Sequence, residues 1–521
     1  MKILVVIITL ILLSEFATSI FIEPWIGKKI DAELNKENKN YIVNTDKVNI
    51  SIIKSGLELK GITIDSKQVN EDDQELNAEI GSVKFKGINV FKAIFRHDIH
   101  IKSVTISNSI INGKIPFSGK ARPPIISPLK VGIGRILFDK LYLELENPST
   151  SQSFSVKDGV LKVYDFLVEK KDTLFPGTIK LFDFQASELV SVSAGNMYTY
   201  IVRGINYSAT SNALAIDSLY IQPAYTDYDF TSRYKFQTNR IEAIFTSIYV
   251  NDIYLDGYEK GLSLISPYIE IGKMDMMVFR DRRKEFNHFN KPMLQDILYG
   301  IPGTIRVDSL GLLKGNITLT IHAEKANEPG SISFNDINAR LFKITNDTIY
   351  KTEIAFLEFK ADALLMGKGK MTIFLKARLF DNYNTYSLNG TLSDLEAKEL
   401  NPILEKNAFI YATSGTIDAM NFSYTANRTK ASGELTMLYR RLDVTVKNKL
   451  TDDTTAFRER FISFIANRRI FDSNPVKDGK VRVGIIDYER DPERYIFHYL
   501  FNSVLSGITS SLTNNHKKRD N

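Results

Sequence analysis

Apolar and polar side chains alternate along nearly the whole chain, and that alternation commits each stretch to a strand with one face toward a core and the other toward water. Residues 386–446 read YSLNGTLSDLEAKELNPILEKNAFIYATSGTIDAMNFSYTANRTKASGELTMLYRRLDVTV: a strand, one short helix around Asn401-Pro402, then three strands joined by tight turns. In VNISIIKSGLELKGITIDS the apolar positions Val48, Ile50 and Ile52, then Leu57 and Leu59, then Ile62 and Ile64 each keep a period of two. Ser55-Gly56 and Lys60-Gly61 punctuate them, which predicts short antiparallel strands. The texture returns with Ile101, Val104 and Ile106, with Ile305, Val307, Ile317 and Leu319, and with Ile332 and Phe334. Asn112-Gly113 and Gly315-Asn316 are turn dipeptides by type. The expected fold class is mainly β, with about 25 to 30 strands.

Composition excludes several functions. Of 521 residues 43% are hydrophobic and 25% charged, which is ordinary for a folded protein. A net charge of +6 spread over 67 basic and 61 acidic side chains is too dilute to mark a nucleic-acid protein. Cysteine is absent, so there is neither a disulfide nor a thiolate metal site. No pair among His97, His100, His288, His322, His498 and His516 has zinc-hydrolase spacing, and no GxSxG elbow or P-loop occurs. Gly367-Lys368-Gly369-Lys370 reads as a hairpin turn. No catalytic residue, metal site or cofactor is expected.

At the N-terminus, Ile3 to Leu13 carries no charge, Glu15 interrupts, and Phe16 to Ile22 resumes the apolar run before Pro24. Residues 1–22 fit a cleavable export signal, with Ala17 and Ser19 as a small-x-small cleavage site, and equally a signal anchor spanning the membrane through residues 3–22. A helix is expected from Pro24 to Asn35. Near the C-terminus, Phe457, Phe461, Phe464 and Ile465 form the apolar stripe of a basic amphipathic helix, expected either at a membrane or at the end of the sheet. A final helix is expected with Asp491 as its N-cap, presenting Phe497, Phe501, Leu505 and Ile508 on one broad face that caps a groove or meets a membrane. The tail from Asn514 is basic and expected to be disordered. AEIGSVKF, VGIGRILF and IEIGKMDM place Gly81, Gly134 and Gly272 in similar local settings, a faint internal repeat.

Leu400-Asn401-Pro402, Ser414-Gly415-Thr416-Ile417 and Ala431-Ser432-Gly433-Glu434-Leu435 carry a likeness to a known group. With MVFRDRRKEFNHFNKPMLQDILYGIPGTIRVDSLGLLKGNIT, GSISFNDINARLFKITND and VRVGIIDYERDPERYIFHYLFNSVLSGITSSL, the chain resembles AsmA-like proteins of the AsmA and TamB group, in their Bacteroidetes-type envelope form. The resemblance covers residues 266–512 well and the first half loosely; Ile321-His322-Ala323-Glu324 departs from it where an aromatic is expected. It implies an elongated, twisted antiparallel β-groove or taco-like sheet with an N-terminal membrane helix and a few short helices, two of them near the C-terminus. It also implies an anchor or signal at 1–22, a β-rich region at 23–265 and a second at 266–521. The implied place is the inner membrane, through one N-terminal span, with the bulk of the chain in the periplasm. The implied role is lipid conduction or outer-membrane assembly.

In that role phospholipid or another acyl-chain lipid is the partner, and Ile50, Ile52, Leu57, Leu59, Ile62, Ile64, Ile101, Val104, Ile106, Ile305, Val307, Ile317, Leu319, Ile332 and Phe334 line the groove. Two alternatives stand beside it: a non-enzymatic periplasmic scaffold binding envelope proteins by edge-strand pairing, and a sugar-processing β-helix enzyme.

Overall fold

The computed structural model describes residues 28, 31–32, 35, 41–51, 56–67, 75–88, 98–115, 130–168, 177–178, 181–256, 263–352, 354–446, 470–476 and 478–513. Strands make up 66% of the described residues, as the alternation predicts. Two compact units divide it, residues 1–219 and 220–521.

Unit 1 carries β1 (Tyr41–Ser51), β2 (Gly56–Ser66), β3 (Glu75–Ile88), β4 (Asp98–Lys114), β5 (Lys130–Asn147), β6 (Gln152–Val168), the short β7 (Gly177–Thr178), β8 (Leu181–Val192) and β9 (Tyr198–Ser208); β10 (Ala213–Pro223) runs across the boundary. Neighbours in sequence pair antiparallel, β6 with both β7 and β8, except that β4 and β5 run parallel. In unit 2, helix α1 (Asp227–Ser232) precedes β11 (Asn239–Asn251), β12 (Tyr254–Asp256) and β13 (Ser263–Asp281). Helix α2 (Leu294–Tyr299) follows, then β14 (Ile305–His322), β15 (Gly330–Thr345), β16 (Phe356–Leu365), β17 (Gly369–Arg378) and β18 (Tyr386–Glu396). The unit ends with α3 (Asn401–Ala408), β19 (Ile410–Ala426), β20 (Lys430–Val446), β21 (Val483–Glu489) and α4 (Ile496–Leu512). Here too one step, β13 to β14, is parallel. The expected all-antiparallel sheet is corrected at these two places, where residues 115–129 and 282–304 supply the long connection a parallel pair needs.

The strands are also longer and fewer than expected, 21 among the described residues. Lys60-Gly61, Asn112-Gly113 and Gly315-Asn316 lie inside β2, β4 and β14 rather than at turns, and two strands rather than three follow α3. The reason is a slip of phase. In β4, Val104 and Ser109 are buried while Lys102, Asn108, Ile110 and Asn112 are exposed, so the inward set runs 104, 106, 109, 111. The extra residue is taken up at Asn108, whose φ of 54° is left-handed. Lys140, Asp158 and Gly61 do the same in β5, β6 and β2 with φ of 56°, 50° and 59°. Glycine suits position 61, because φ is left-handed there and a Cβ would meet the Asp46 side chain, which would have to move. The hairpin expected at Gly367 does form, with Met366 and Gly367 left-handed at φ 53° and 69° between β16 and β17.

The slips repeat between the units. β5 pairs with β6 through Phe138–Leu161, Leu141–Gly159 and Leu143–Val156, with a register shift on each side of the middle pair. β14 pairs with β15 through Leu312–Ala339, Gly315–Ile337 and Ile317–Phe334, with shifts at the same two places. Left-handed residues stand seven apart in both second strands, at Asp158 and Asp165 and at Asp336 and Lys343. Each unit therefore contains one copy of a parallel-then-antiparallel three-strand module, β4–β5–β6 and β13–β14–β15. The glycine repeat does not follow it, since Gly81, Gly134 and Gly272 fall on β3, β5 and β13.

The closed core lies in unit 2. Leu375, Leu388, Tyr424, Leu435, Tyr439 and Ile486 of β17–β21 are buried beneath Met293 and Leu298 at α2 and Ile496, Tyr499 and Leu512 of α4. α4 begins at Ile496 with Tyr495 at its N-cap, four residues later than expected, because Asp491 instead caps a separate turn by accepting from the Glu493 N–H at 2.9 Å. Beside Ile496, Tyr499 and Leu512, its packed face carries small and polar residues rather than phenylalanines: Ser503, Ser506, Gly507 and Ser511 are buried. A Cβ on Gly484 of β21 would stand 2.1 Å from the Gly507 carbonyl oxygen, so the helix rests directly on the strand.

Of the expected N-terminal helix, Lys28, Asp31, Ala32 and Asn35 are described and helical. The membrane span at 3–22, the helix stripe Phe457, Phe461, Phe464 and Ile465, and Ile52 lie outside the described residues. Among the described residues no helix is long and apolar enough to cross a membrane.

Candidate functional site

Strand pairing brings the apolar candidates of unit 1 into rows that cross the sheet. One row reads Ile50, Leu57, Phe85, Val104, Ile136, Val163, Phe182 from β1 to β8. The next reads Val48, Leu59, Val83, Ile106, Phe138, Leu161, Phe184 and, on β9, Tyr207. Beyond the slip a third reads Val43, Ile64, Ala78, Ile111, Leu143, Val156, Leu189, Val202. Ile62 pairs with Ile80 beside that row, and Ile101 pairs with Ile88 and Ile133 past a second slip at Gly87, Lys102 and Gly134. Eight or seven strands at about 4.8 Å spacing make each row about 30 Å long.

The slips are what keep these rows on one side. Strict alternation would send every apolar residue past the slip to the opposite face. That opposite face is polar: the Asn49 amide and Lys84 both meet Glu58, at 3.1 Å each, Arg203 meets Glu188 at 2.9 Å, and Tyr164 donates to Asp183 at 3.0 Å. Burial pushes the Glu58 carboxyl up, but Asn49, Lys84 and Lys60 together hold it below its ordinary value. The apolar side is different. Val48, Val104 and Val163 are buried, yet Ile50, Leu57, Leu59, Ile64, Phe85, Ile106, Phe138 and Phe184 are only half-buried. No buried cluster of the kind found under α2 and α4 forms among the described residues of this unit.

In unit 2, Ile317 and Phe334 share a row with Ala243, Met276 and Leu365, and Leu319 and Ile332 share the next with Ile241 and Val278. Ile305 and Val307 stand at the far end of β14, where Val307 is 3% exposed against Ile344 and Ser266. The expected cap residues separate. Ile508 packs into the core and Leu505 is half-buried, but Phe497 and Phe501 are 78% and 61% exposed, so they do not close a groove. What α4 covers is the sheet edge: the outward N–H groups of Ile485 and Asp487 on β21 donate to Ser510 and Ser506 Oγ at 3.0 and 3.3 Å. On β1 the Asn35 side chain both accepts from the Val43 N–H and donates to the Val43 carbonyl, at 2.8 and 2.6 Å.

Period-two counting missed Val83, Phe85, Ile136, Phe138, Leu161, Val163, Phe182 and Phe184. Each pair is two apart on its own strand, but only strand pairing shows that these pairs share a side with Leu57 and Leu59. His322 is buried and structural: Tyr228 OH lies 2.8 Å from Nδ1 and the Ala326 carbonyl 2.8 Å from Nε2. No family model matches the chain, and no curated protein matches it.

Proposed function

We propose that the apolar side of the sheet receives the acyl chains of lipid, and that the protein binds or conducts lipid in a cell envelope, contributing to outer-membrane lipid transport or assembly. The elongated groove and the inner-membrane anchor at residues 3–22 belong to this reading. One observation carries it: three unbroken apolar rows of seven or eight residues lie half-buried on one side of unit 1, backed by a polar side. Uncovered apolar surface beyond a few hundred Å² is rare unless something binds there. Each buried methylene contributes about 0.8 kcal/mol, so about a dozen contribute up to about 10 kcal/mol before the cost of ordering the chain is subtracted. Such a site needs neither catalytic group nor cofactor. The capped edges at β21 and at Val43 support this over a scaffold that recruits partners by strand addition. Full-length protein extracted with organic solvent should release stoichiometric phospholipid by mass spectrometry. The combined change Leu57→Asp, Leu59→Asp and Ile64→Asp should abolish that release with an unchanged circular dichroism spectrum. A folded protein that carries no lipid would sink the reading.

A further inference from the structure

The apolar side of β13 ends in a cation. Met274, Met276, Val278 and Arg280 follow one another at a period of two, and Arg280 lies one step beyond the row of Val278, Leu319 and Ile332. Around Arg280 the chain gathers further positive charge from the connection before α2 and the turn before α4. Tyr495 lies between two of these groups, its ring centroid 5.9 Å from the Arg280 Cζ and 5.2 Å from the Lys291 Nζ. Phe286 lies between Lys291 and Arg494, at 5.9 and 3.8 Å. Arg490 donates to the Lys291 carbonyl oxygen at 2.6 Å.

Among the described residues Arg280, Lys291 and Arg490 have no carboxylate within ion-pair distance, whereas Arg494 pairs with Asp491 at 3.5 Å. Arg280 reaches only the neutral Asn239 and Gln237 oxygens, at 3.5 and 3.4 Å, and its Nε is buried without a partner. Lys291 is 6% exposed; its Nζ lies over the Phe289 ring, 2.8 Å from the centroid, and reaches the Asn287 carbonyl oxygen at 3.4 Å. Arg490 reaches backbone carbonyls alone. The nearby carboxylates are engaged: Glu493 with His288 at 2.9 Å, Asp491 with the Glu493 N–H and with Arg494 at 3.5 Å, and Asp296 with Arg428 at 2.6 Å. Burial lowers the pKa of Arg280 and of Lys291, and each feels a neighbouring cation, against the pull of Glu493 on Lys291. Half-buried like charges that outnumber their counter-ions are costly, and a planar guanidinium beside an ammonium suits a phosphate oxygen set.

We infer that Arg280, Lys291 and Arg494 receive the phosphate of an anionic lipid whose acyl chains lie on Met276, Val278, Leu319 and Ile332. The site rests on the lipid reading above and names the head group that reading leaves open. The long Arg280 contacts to Asn239 and Gln237 are those the phosphate would replace.

Calorimetric titration of the full chain with dioctanoyl phosphatidic acid, dioctanoylglycerol and inorganic phosphate tests it. The phosphatidic acid should bind about tenfold more tightly than the neutral diacylglycerol. Arg280→Gln with Lys291→Gln should remove that preference and leave diacylglycerol binding unchanged; Arg494→Gln, on a less buried side chain, should reduce it if the double variant does not fold. Equal affinity for the two lipids in the wild type, or a preference that survives in folded variants, overturns the head-group site while the apolar groove stands. Inorganic phosphate binding as tightly as the phosphatidic acid assigns the cluster to free phosphate and overturns it as a lipid site. Failure of every lipid to bind overturns the groove as well.

Discussion

Asn474 is 1% exposed, and its amide does the work of a missing strand residue: Nδ2 donates to the Met437 and Arg482 carbonyls at 2.6 and 3.0 Å, and Oδ1 accepts from the Arg482 N–H at 2.8 Å. Removing it strands three backbone groups, one buried and two part-buried, so Asn474→Ala should cost about 2 to 4 kcal/mol in chemical denaturation. His498 gives a second prediction at this scale. Burial, then Arg494, Arg282 and Arg280, push its imidazole down to about 4, against the pull of Asp491. Unfolded, it titrates near its ordinary 6.5, so between those values the unfolded chain takes up a proton that the folded chain refuses. Stability should fall by up to about 3 kcal/mol as pH drops through that window, and His498→Gln should flatten the change when denaturation midpoints are compared across it. Neither role is visible in the sequence, because each depends on partners brought from β13, β20 or the segment after residue 470.

At the scale of the element, the edge of β21 is satisfied by two serine hydroxyls of α4. Ser506→Ala with Ser510→Ala should cost about 1 to 2 kcal/mol and raise light scattering, because the exposed edge can then pair with a second chain. Phe497 and Phe501, by contrast, should each tolerate replacement by Ser within about 0.5 kcal/mol, since both point away from the packed face. Gly61→Ala should cost about 1 to 3 kcal/mol, because φ there is 59° and the new methyl meets Asp46; Gly195→Ala, at φ 67° with nothing within 4 Å, should cost less. The strands themselves were legible from alternation, and so was α3 at Asn401-Pro402. Their lengths were not: a glycine or asparagine that continues a strand in the left-handed region looks, by residue type, like one that ends it. The same ambiguity hid the β4–β6 and β13–β15 modules, whose inward residues step by two and three. The phenylalanines of α4 misled for a different reason, since the helix packs on β21 through Gly507 and its serines, where close approach outweighs side-chain size.

At the scale of the molecule, eight of the nine candidates named in the first half fall on described residues, and strand pairing places all eight in or beside the apolar rows. Their sidedness could not be read locally, because it depends on slips in several neighbouring strands falling opposite one another: Gly61 faces Asp46, Gly81 faces Asn108, and Gly204 faces Asp217. That alignment makes a lipid-binding side of the sheet a definite claim with a definite opposite side. A photo-crosslinking residue placed in turn at Phe85, Phe138 and Phe184 in the rows, and at Tyr142 and Ile110 on the exposed polar side, tests it in the full chain within membranes. Lipid phosphate captured at the three row positions and absent from the two outer ones is the result predicted; equal capture on both sides, or none at Phe85, Phe138 and Phe184, would contradict it.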